Sequence, residues 1–348
     1  MNVLFCGSKG DLSYPIILDP IITNDVAALA KLWDQGWMIS DTSLLDNVNW
    51  IKNNDIGLVI VELGWKHRWQ NDIREFKKHC PNVKVLCMVG ALSRIVRSLD
   101  ASRLKVYIDA IKCCDLVGVM NIDEIFFFKN LLDSENVYHI PVPINAEFYR
   151  KKAKHNFGQT SRGKVALSMH SDLYTGYEAK RCDLYTFALW KGITKLYPHL
   201  LGTTWVNINE LRSYGSFTPE DLENTLRCIG INNVKVKPNS SDFYLECPTH
   251  FVIINLNDFQ CQSRASMYGA AMGVPVIATD ANETHRRIWP NLAFRPCEQN
   301  KAISAFQNLY HCNESYAAQV EYAQKQLEFY CPRNIKLIME AALTHACS

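Results

Sequence analysis

Acidic and imidazole side chains follow a short apolar run in the second half of the chain. Val274–Ala278 is apolar throughout, and Asp280, Glu283 and His285 come soon after it. Carboxylate and imidazole groups can hydrogen-bond the hydroxyl groups of a ligand. In an open α/β sheet, ligands bind beyond the carboxyl ends of the strands. These side chains are therefore candidates for contacts with a bound ligand, and an ordinary helix-turn-strand packing unit is the alternative.

The segment before this run predicts the element that positions it. In Arg264–Met272, Ala265, Tyr268 and Ala271 recur at helical spacing. Gly273 follows directly, and a residue without a Cβ can adopt the left-handed conformation that ends a helix. We therefore predict a helix, a glycine stop and a buried parallel strand.

Length and composition predict a soluble protein of two domains. The chain has 348 residues, of which 48% are hydrophobic and 21% charged. No apolar run reaches the roughly 18 residues of a membrane span, and the first residues lack the apolar region of a signal peptide. We expect a cytoplasmic location (the host cytoplasm if the source is viral) and no membrane partner. The thirteen cysteines form no C-x-x-C pair, which favours reduced thiols over a zinc or disulfide framework.

Residues 1–150 alternate between strand-like and helix-like patterns. The predicted strands are Asn2–Cys6, Trp37–Ile39, Ile56–Val61, Val83–Val89, Leu116–Met120 and Val137–Ile140. The predicted helices are Asp25–Gln35, Asp72–His79, Ser102–Lys112 and Glu124–Leu132. This alternation predicts a parallel, doubly wound sheet, which is a Rossmann-like domain.

Residues 151–330 repeat the alternation after a polar stretch, Tyr149–Gly163, which we interpret as a linker. The predicted strands are Lys164–Met169, Leu200–Ile208, Val234–Val236, Phe251–Ile254, Val274–Ala278 and Leu292–Phe294. The predicted helices include Glu178–Lys195, Pro219–Cys228, Lys301–Leu309 and Tyr316–Phe329, with a helical turn at Asp242–Glu246. A last helix, in residues 331–348, is expected to pack back on the first domain.

Two α/β halves with a helical tail resemble the nucleotide-sugar glycosyltransferases of the GT-B type. The stretch YGAAMGVPVIAT, residues 268–279, is similar to their small-residue helix and G-V-P-V strand. Pro141–Asn145 resembles the segment that leaves their first domain. The resemblance implies two Rossmann-like domains facing across a cleft, a UDP-sugar as donor, and the donor phosphates near the helix N-terminus. It places Tyr268 and Gly269 on the donor side, and it implies that Asp280, Glu283 and His285 contact the donor sugar or the acceptor.

A closer likeness is to the DNA glycosyltransferases of tailed phages. It lies in the loop HSDLYTGYEAKR, residues 170–181, and in residues 257–288. In that family a similar loop holds the donor diphosphate, whose charge basic side chains can neutralise. The matching residues are His170, Ser171, Gly176, Lys180 and Arg181. Arg264 matches an arginine just before the ribose-binding helix, and the implied acceptor is a hydroxymethylated pyrimidine in double-stranded DNA.

The sequence departs from these families at two catalytic positions. Tyr268 stands where many relatives carry a glutamate that holds the ribose, and it offers only one hydroxyl. Gly90 and Ala91 follow the fourth strand, where inverting phage enzymes place an aspartate base. Other candidates for the base are Glu62, His67 and Asp11, whereas a retaining reaction would need none. No Asp-x-Asp pair is present, so we expect no obligatory divalent metal.

Three functions follow from these patterns. The first is a glycosyltransferase acting on DNA, for which basic clusters such as Arg74–Lys78 could track phosphates; solvated helix faces are the alternative reading. The second is a glycosyltransferase acting on a glycan or small molecule, and the third a non-catalytic nucleotide-binding relative. Gly7 begins a flexible loop at a strand end, which we expect to line the site. We expect a monomer.

Overall fold

The computed structural model forms two compact α/β units. It describes residues 2–7, 36–40, 44–63, 69–89, 100–154, 161–167, 184–206, 218–238, 246–256 and 263–347. The first unit comprises Met1–Asn145 and Phe329–Ser348, and the second comprises Ala146–Phe259 and Ser263–Glu328. Each unit contains one parallel sheet.

The sheet of the first unit has six strands in the order β2-β1-β3-β4-β5-β6. They are β1 (Asn2–Gly7), β2 (Gly36–Ser40), β3 (Ile56–Leu63), β4 (Lys84–Val89), β5 (Leu116–Val119) and β6 (Val137–His139). The described helices between them are α1 (Val48–Asn53), α2 (Trp69–His79), α3 (Ala101–Lys112) and α4 (Glu124–Leu132). The chain first adds β2 on one side of β1 and then returns to add β3 on the other. The switch point of this sheet therefore lies between β1 and β3.

The sheet of the second unit also has six strands, in the order β12-β11-β10-β7-β8-β9. They are β7 (Ser161–Leu167), β8 (Leu201–Val206), β9 (Val234–Pro238), β10 (His250–Asn255), β11 (Val276–Thr279) and β12 (Ala293–Phe294). Here the direction reverses between β7 and β10, which are hydrogen-bonded neighbours. The described helices of this unit are α5 (Ala146–Lys154), α6 (Leu184–Leu196), α7 (Pro219–Cys228), α8 (Arg264–Met272), α9 (Glu283–Ile288), α10 (Gln299–His311) and α11 (Asn313–Leu327).

The last helix, α12 (Pro332–Cys347), belongs to the first unit. Its buried residues Ile335, Met339 and Leu343 pack with Phe5 and Leu58 of the sheet. Their spacing of four residues gives α12 an apolar stripe along one side. The helix therefore covers the face of the sheet opposite to the one that packs with α2 and α3.

Replacing Met339 by alanine is expected to lower the free energy of unfolding by about 2 kcal/mol, because it leaves a cavity in a packed core. Met339 is fully buried, whereas Leu337 on the same helix is 55% exposed. Leu337→Ala is therefore the matched control and should change stability by no more than about 0.5 kcal/mol. Urea denaturation of both variants checks this, and equal losses would contradict the packing of α12.

The predicted α/β fold with two Rossmann-like sheets and C-terminal helices is confirmed. The interpretation of Tyr149–Gly163 as a linker is wrong in its first part, because residues 146–154 form α5. Tyr149 and Ala153 are buried, and the Tyr149 ring lies 4.7 Å from that of Tyr268 on α8. Only these two buried residues mark the apolar side of the helix, and the polar residues around them give the segment the composition of a linker. The predicted helix Asp25–Gln35 and most of the predicted turn Asp242–Glu246 lie outside the described residues.

Candidate functional site

Two predicted donor-binding segments follow, in the sequence, two neighbouring strands of the second sheet. β7 ends at Leu167, which pairs with Ile254 of β10. The chain that leaves β7 carries Ser171, Gly176, Lys180 and Arg181, which lie outside the described residues. The chain that leaves β10 leads into α8, which begins at Arg264. In open α/β sheets ligands bind in the crevice at the switch point, which lies here between β7 and β10.

The N-terminus of α8 has a side-chain cap. Ser263 has an extended backbone, and its hydroxyl accepts a hydrogen bond of 3.4 Å from the Ser266 amide. Arg264, the first helical residue, has a half-buried side chain. The backbone N–H groups of a first helical turn carry partial positive charge and attract phosphate. Ser263 and Ser266 were not among the predicted site residues, although a serine directly before a helical pattern is a capping signal.

Behind this turn lies a buried hydrogen-bond network centred on His285. The Nδ1 atom of His285 lies 2.7 Å from Ser266 Oγ, and its Nε2 atom lies 3.0 Å from the Leu292 carbonyl oxygen. Trp289 donates its indole N–H to the Ser266 carbonyl oxygen at 3.0 Å. His285 is completely buried, and this burial lowers the pKa of its ring to about 4. The ring is therefore neutral and uses both nitrogens inside the protein, so the expected sugar or acceptor contact through His285 does not fit this structure.

Tyr268 and Gly269 lie on packed faces of α8. Tyr268 is buried, and its ring packs against that of Tyr149 of α5, a partner that the sequence did not indicate. A Cβ on Gly269 would lie 2.2 Å from Val276 Cγ2 and 2.6 Å from the Val274 carbonyl oxygen. Gly269 therefore allows α8 to approach the strand that follows it. In this structure these contacts account for both residues without a donor.

Asp280 and Glu283, at the carboxyl end of β11, each have an arginine neighbour. The Asp280 carboxylate lies 3.6 Å from Arg295 Nε, and the Glu283 carboxylate accepts a 2.7 Å hydrogen bond from Arg287 Nε. Glu283 is buried, whereas Asp280 is half-exposed. Of the two, Asp280 is thus the better placed to meet a ligand.

In the first unit, two predicted site residues follow paired positions at the switch point. Cys6 of β1 pairs with Val61 of β3, so Gly7 and Glu62 come next on neighbouring strands. Glu62 also pairs with Met88 of β4 through the backbone. The other candidates for the base, His67 and Asp11, lie outside the described residues.

The basic cluster on α2 is balanced by carboxylates. Lys77 Nζ lies 2.8 Å from Asp115, and Lys84 Nζ lies 3.4 Å from the same carboxylate. Arg74 lies 4.0 Å from Asp109, and Lys78 lies 2.6 Å from Glu75. A surface that tracks phosphates needs unbalanced positive charge, so this cluster is poorly suited to DNA.

In the described ranges, no group of three or more histidine, cysteine, aspartate or glutamate side chains could hold a metal ion. None of the helices described is long and apolar enough to cross a membrane.

Neither a protein family nor a curated protein matches the chain, but solved structures match its fold. HepE of Anabaena, in complex with UDP and glucose, has a TM-score of 0.68 at 11% identity, covering 99% of this chain and 100% of HepE. The E. coli structure described as trehalose-6-phosphate bound with UDP-2-fluoro glucose has a TM-score of 0.67 at 10% identity, covering 99% of each chain. A variant of S. aureus TarM with fondaparinux, α-GlcNAc-glycerol and UDP has a TM-score of 0.61 at 12% identity and covers 86% of this chain.

The chain spans 58% of the length of TarM and nearly all of the other two structures. At identities of 10–12% the likeness concerns the fold alone. It agrees with the GT-B-type fold that the sequence resemblance implied.

Proposed function

We propose that the protein is a glycosyltransferase that takes a UDP-sugar as donor and binds its diphosphate at the switch point of the second sheet. One observation carries this proposal: both donor-side segments predicted from the sequence follow β7 and β10, which are neighbours at that point. Solved structures of similar fold that contain UDP or UDP-sugars support the same donor class.

The proposed donor side supplies positive charge and N–H donors, which stabilise the negative charge of a departing diphosphate. The acceptor hydroxyl oxygen forms a bond to the anomeric carbon of the sugar, and the bond from that carbon to the diphosphate oxygen breaks. UDP leaves with the bonding electrons and gains negative charge. Arg264, Lys180 and Arg181, with the first-turn amides of α8, would stabilise that charge.

The proton of the acceptor hydroxyl goes to a base or to the departing phosphate. If a base is used, we propose Glu62 first, because it directly follows Val61, which pairs with Cys6 of β1 at the switch point of the first sheet. His67 and Asp11 follow β3 and β1 in sequence and are the other two candidates.

Two acceptor classes follow from different observations. The likeness to phage enzymes supports a hydroxymethylated pyrimidine in DNA, extruded from the base stack. The balanced charges around Arg74, Lys77 and Lys78 favour an uncharged acceptor such as a glycan or small molecule. Mass spectrometry of products from hydroxymethylcytosine-containing duplex DNA and from glycan acceptors separates the two classes. Transfer to neither, with no hydrolysis of the donor, would favour a non-catalytic nucleotide-binding protein.

Thermal-shift screening against nucleotide sugars tests the donor. A ligand at one hundred times its Kd stabilises the native state by about 2.7 kcal/mol, so the true donor should raise the melting temperature by several degrees. We expect Arg264→Ala to weaken binding about tenfold, which removes about 1.4 kcal/mol of that stabilisation. Arg227→Ala, an exposed arginine on α7 of the same unit, is the control and should bind as the wild type does. Equal shifts in both variants would contradict the placement of the diphosphate.

A further inference from the structure

The hydroxyl groups of Ser263 and Ser266 and the ring of His285 form a continuous chain behind the first turn of α8. Ser263 Oγ lies 2.7 Å from Ser266 Oγ, which lies 2.7 Å from His285 Nδ1. The far nitrogen of the ring reaches the Leu292 carbonyl oxygen at 3.0 Å. Ser266 and His285 are completely buried, whereas Ser263 is half-buried.

The direction of each hydrogen bond in this series follows from its last acceptor, the Leu292 carbonyl oxygen. A carbonyl oxygen can only accept, so His285 Nε2 carries the proton and donates to Leu292. In the neutral ring Nδ1 is then an acceptor, and the Ser266 hydroxyl must donate to it. The Ser266 oxygen can in turn accept from the Ser263 hydroxyl. With this assignment a lone pair of Ser263 Oγ remains to accept the hydrogen bond of 3.4 Å from the Ser266 backbone amide.

This chain exceeds what a helix cap requires. One serine at the N-cap position satisfies an amide of the first turn, and Ser263 already does so. The additional members tie α8 to His285 of α9 and to the residue that precedes β12. A buried polar network in which every member is paired fixes one geometry of the elements that it joins.

We infer that Ser266 and His285 are positioning residues: through Ser263 they hold the first turn of α8 in the arrangement that receives the donor diphosphate. This rests on the proposed function, because it assigns the diphosphate to that turn. Neither residue touches the donor; they set the direction of the backbone N–H groups of Arg264 and Ala265. Displacement of binding groups by about 1 Å can cost up to about a hundredfold in activity, which is why such a support matters.

Isothermal titration with UDP tests the role of the chain. Ser266→Ala removes the hydroxyl that connects Ser263 with His285 but keeps the backbone amide that donates to Ser263. We expect the Kd for UDP to rise about tenfold in this variant. His285→Gln supplies an acceptor oxygen and a donor amide in place of the two ring nitrogens, so it should bind UDP within about threefold of wild type. His285→Leu supplies neither and should resemble Ser266→Ala. Ser304→Ala removes an exposed helical serine of the same unit and serves as the control.

The outcomes separate this inference from the proposed function. If the wild type binds UDP and folded Ser266→Ala binds it as tightly as Ser304→Ala does, the positioning role is overturned while the donor site stands. If the wild type binds neither UDP nor any UDP-sugar, the proposed function fails and the inference fails with it. A role in stability alone would lower the melting temperature of Ser266→Ala and leave its Kd unchanged at a temperature where it is folded.

Nitrogen-15 NMR of the histidine rings tests the chain in the unliganded wild type, whichever variants fold. We expect His285 at pH 7 to be neutral, with the proton on Nε2 and none on Nδ1. A proton on Nδ1 would reverse the deduced order of donors and overturn the inference.

Discussion

The Gly269→Ala substitution is expected to destabilise the second unit by about 3 kcal/mol, at the upper end of the usual cost of overpacking. The added Cβ would lie 2.2 Å from Val276 Cγ2 and 2.6 Å from the Val274 carbonyl oxygen. The second contact is with the backbone, which cannot move aside without displacing the entry to β11. Intrinsic helix propensity acts in the opposite direction, because alanine is favoured over glycine in helices by about 1 kcal/mol.

Gly192→Ala on α6 is the matched control for this prediction. Its Cβ would lie 2.8 Å from Ile303 Cδ1, which is the far end of a flexible side chain. We expect Gly192→Ala to change the free energy of unfolding by less than about 1 kcal/mol, since propensity offsets a small repacking. Urea unfolding of both variants measures the difference. A Gly269→Ala variant as stable as Gly192→Ala would contradict the close approach of α8 to the strand after it.

Lowering the pH from 6.5 towards 4 is expected to remove several kcal/mol of stability from the second unit through two buried histidines. Burial lowers the pKa of both His285 and His250 from 6.5 to about 4. Below pH 6.5 the two histidines are protonated in the unfolded chain but stay neutral in the folded protein. The free energy of unfolding therefore falls as the pH falls. Above pH 6.5 both states are neutral and the contribution is complete. Each histidine accounts for about 3 kcal/mol over this interval.

Variants of the two histidines separate the histidine contribution to the pH dependence of stability from the contribution of carboxylates. Glutamine does not titrate, so His285→Gln and His250→Gln should each reduce the loss between pH 6.5 and 4.5 by up to about 1.4 kcal/mol per pH unit. The double variant should combine both reductions, which urea unfolding at a series of pH values measures. A wild type and a His285→Gln variant with the same dependence on pH would show that His285 is not a buried neutral ring.

The sequence predicted α8 well because its signals are local. Small residues at helical spacing gave Arg264–Met272, and Gly273 indeed ends the helix with a backbone φ of 74°. The strands of both sheets were also recognisable, because buried parallel strands are continuous apolar runs. Prediction was weaker where an apolar stripe is short, as in α5, whose buried Tyr149 and Ala153 lie among lysines.

Site residues were harder to predict because their roles depend on contacts distant in sequence. His285 follows a strand, as a ligand-binding residue would, but Ser266 and Leu292 occupy its two nitrogens. Lys77 belongs to a basic cluster in sequence, yet it pairs with Asp115, which lies beyond the next strand and helix of the chain, directly before β5. The order of strands also cannot be read from local patterns, and that order is what makes β7 and β10 neighbours in the second sheet.

Hydrogen–deuterium exchange with and without saturating UDP tests the central claim most directly. If the switch point of the second sheet binds the diphosphate, UDP should slow exchange in peptides covering residues 168–183 and 263–267. Peptides from α10, whose Ser304 is the control position, should exchange at the same rate in both samples. Binding of UDP without protection in either segment, or with protection confined to other parts of the chain, would contradict the account.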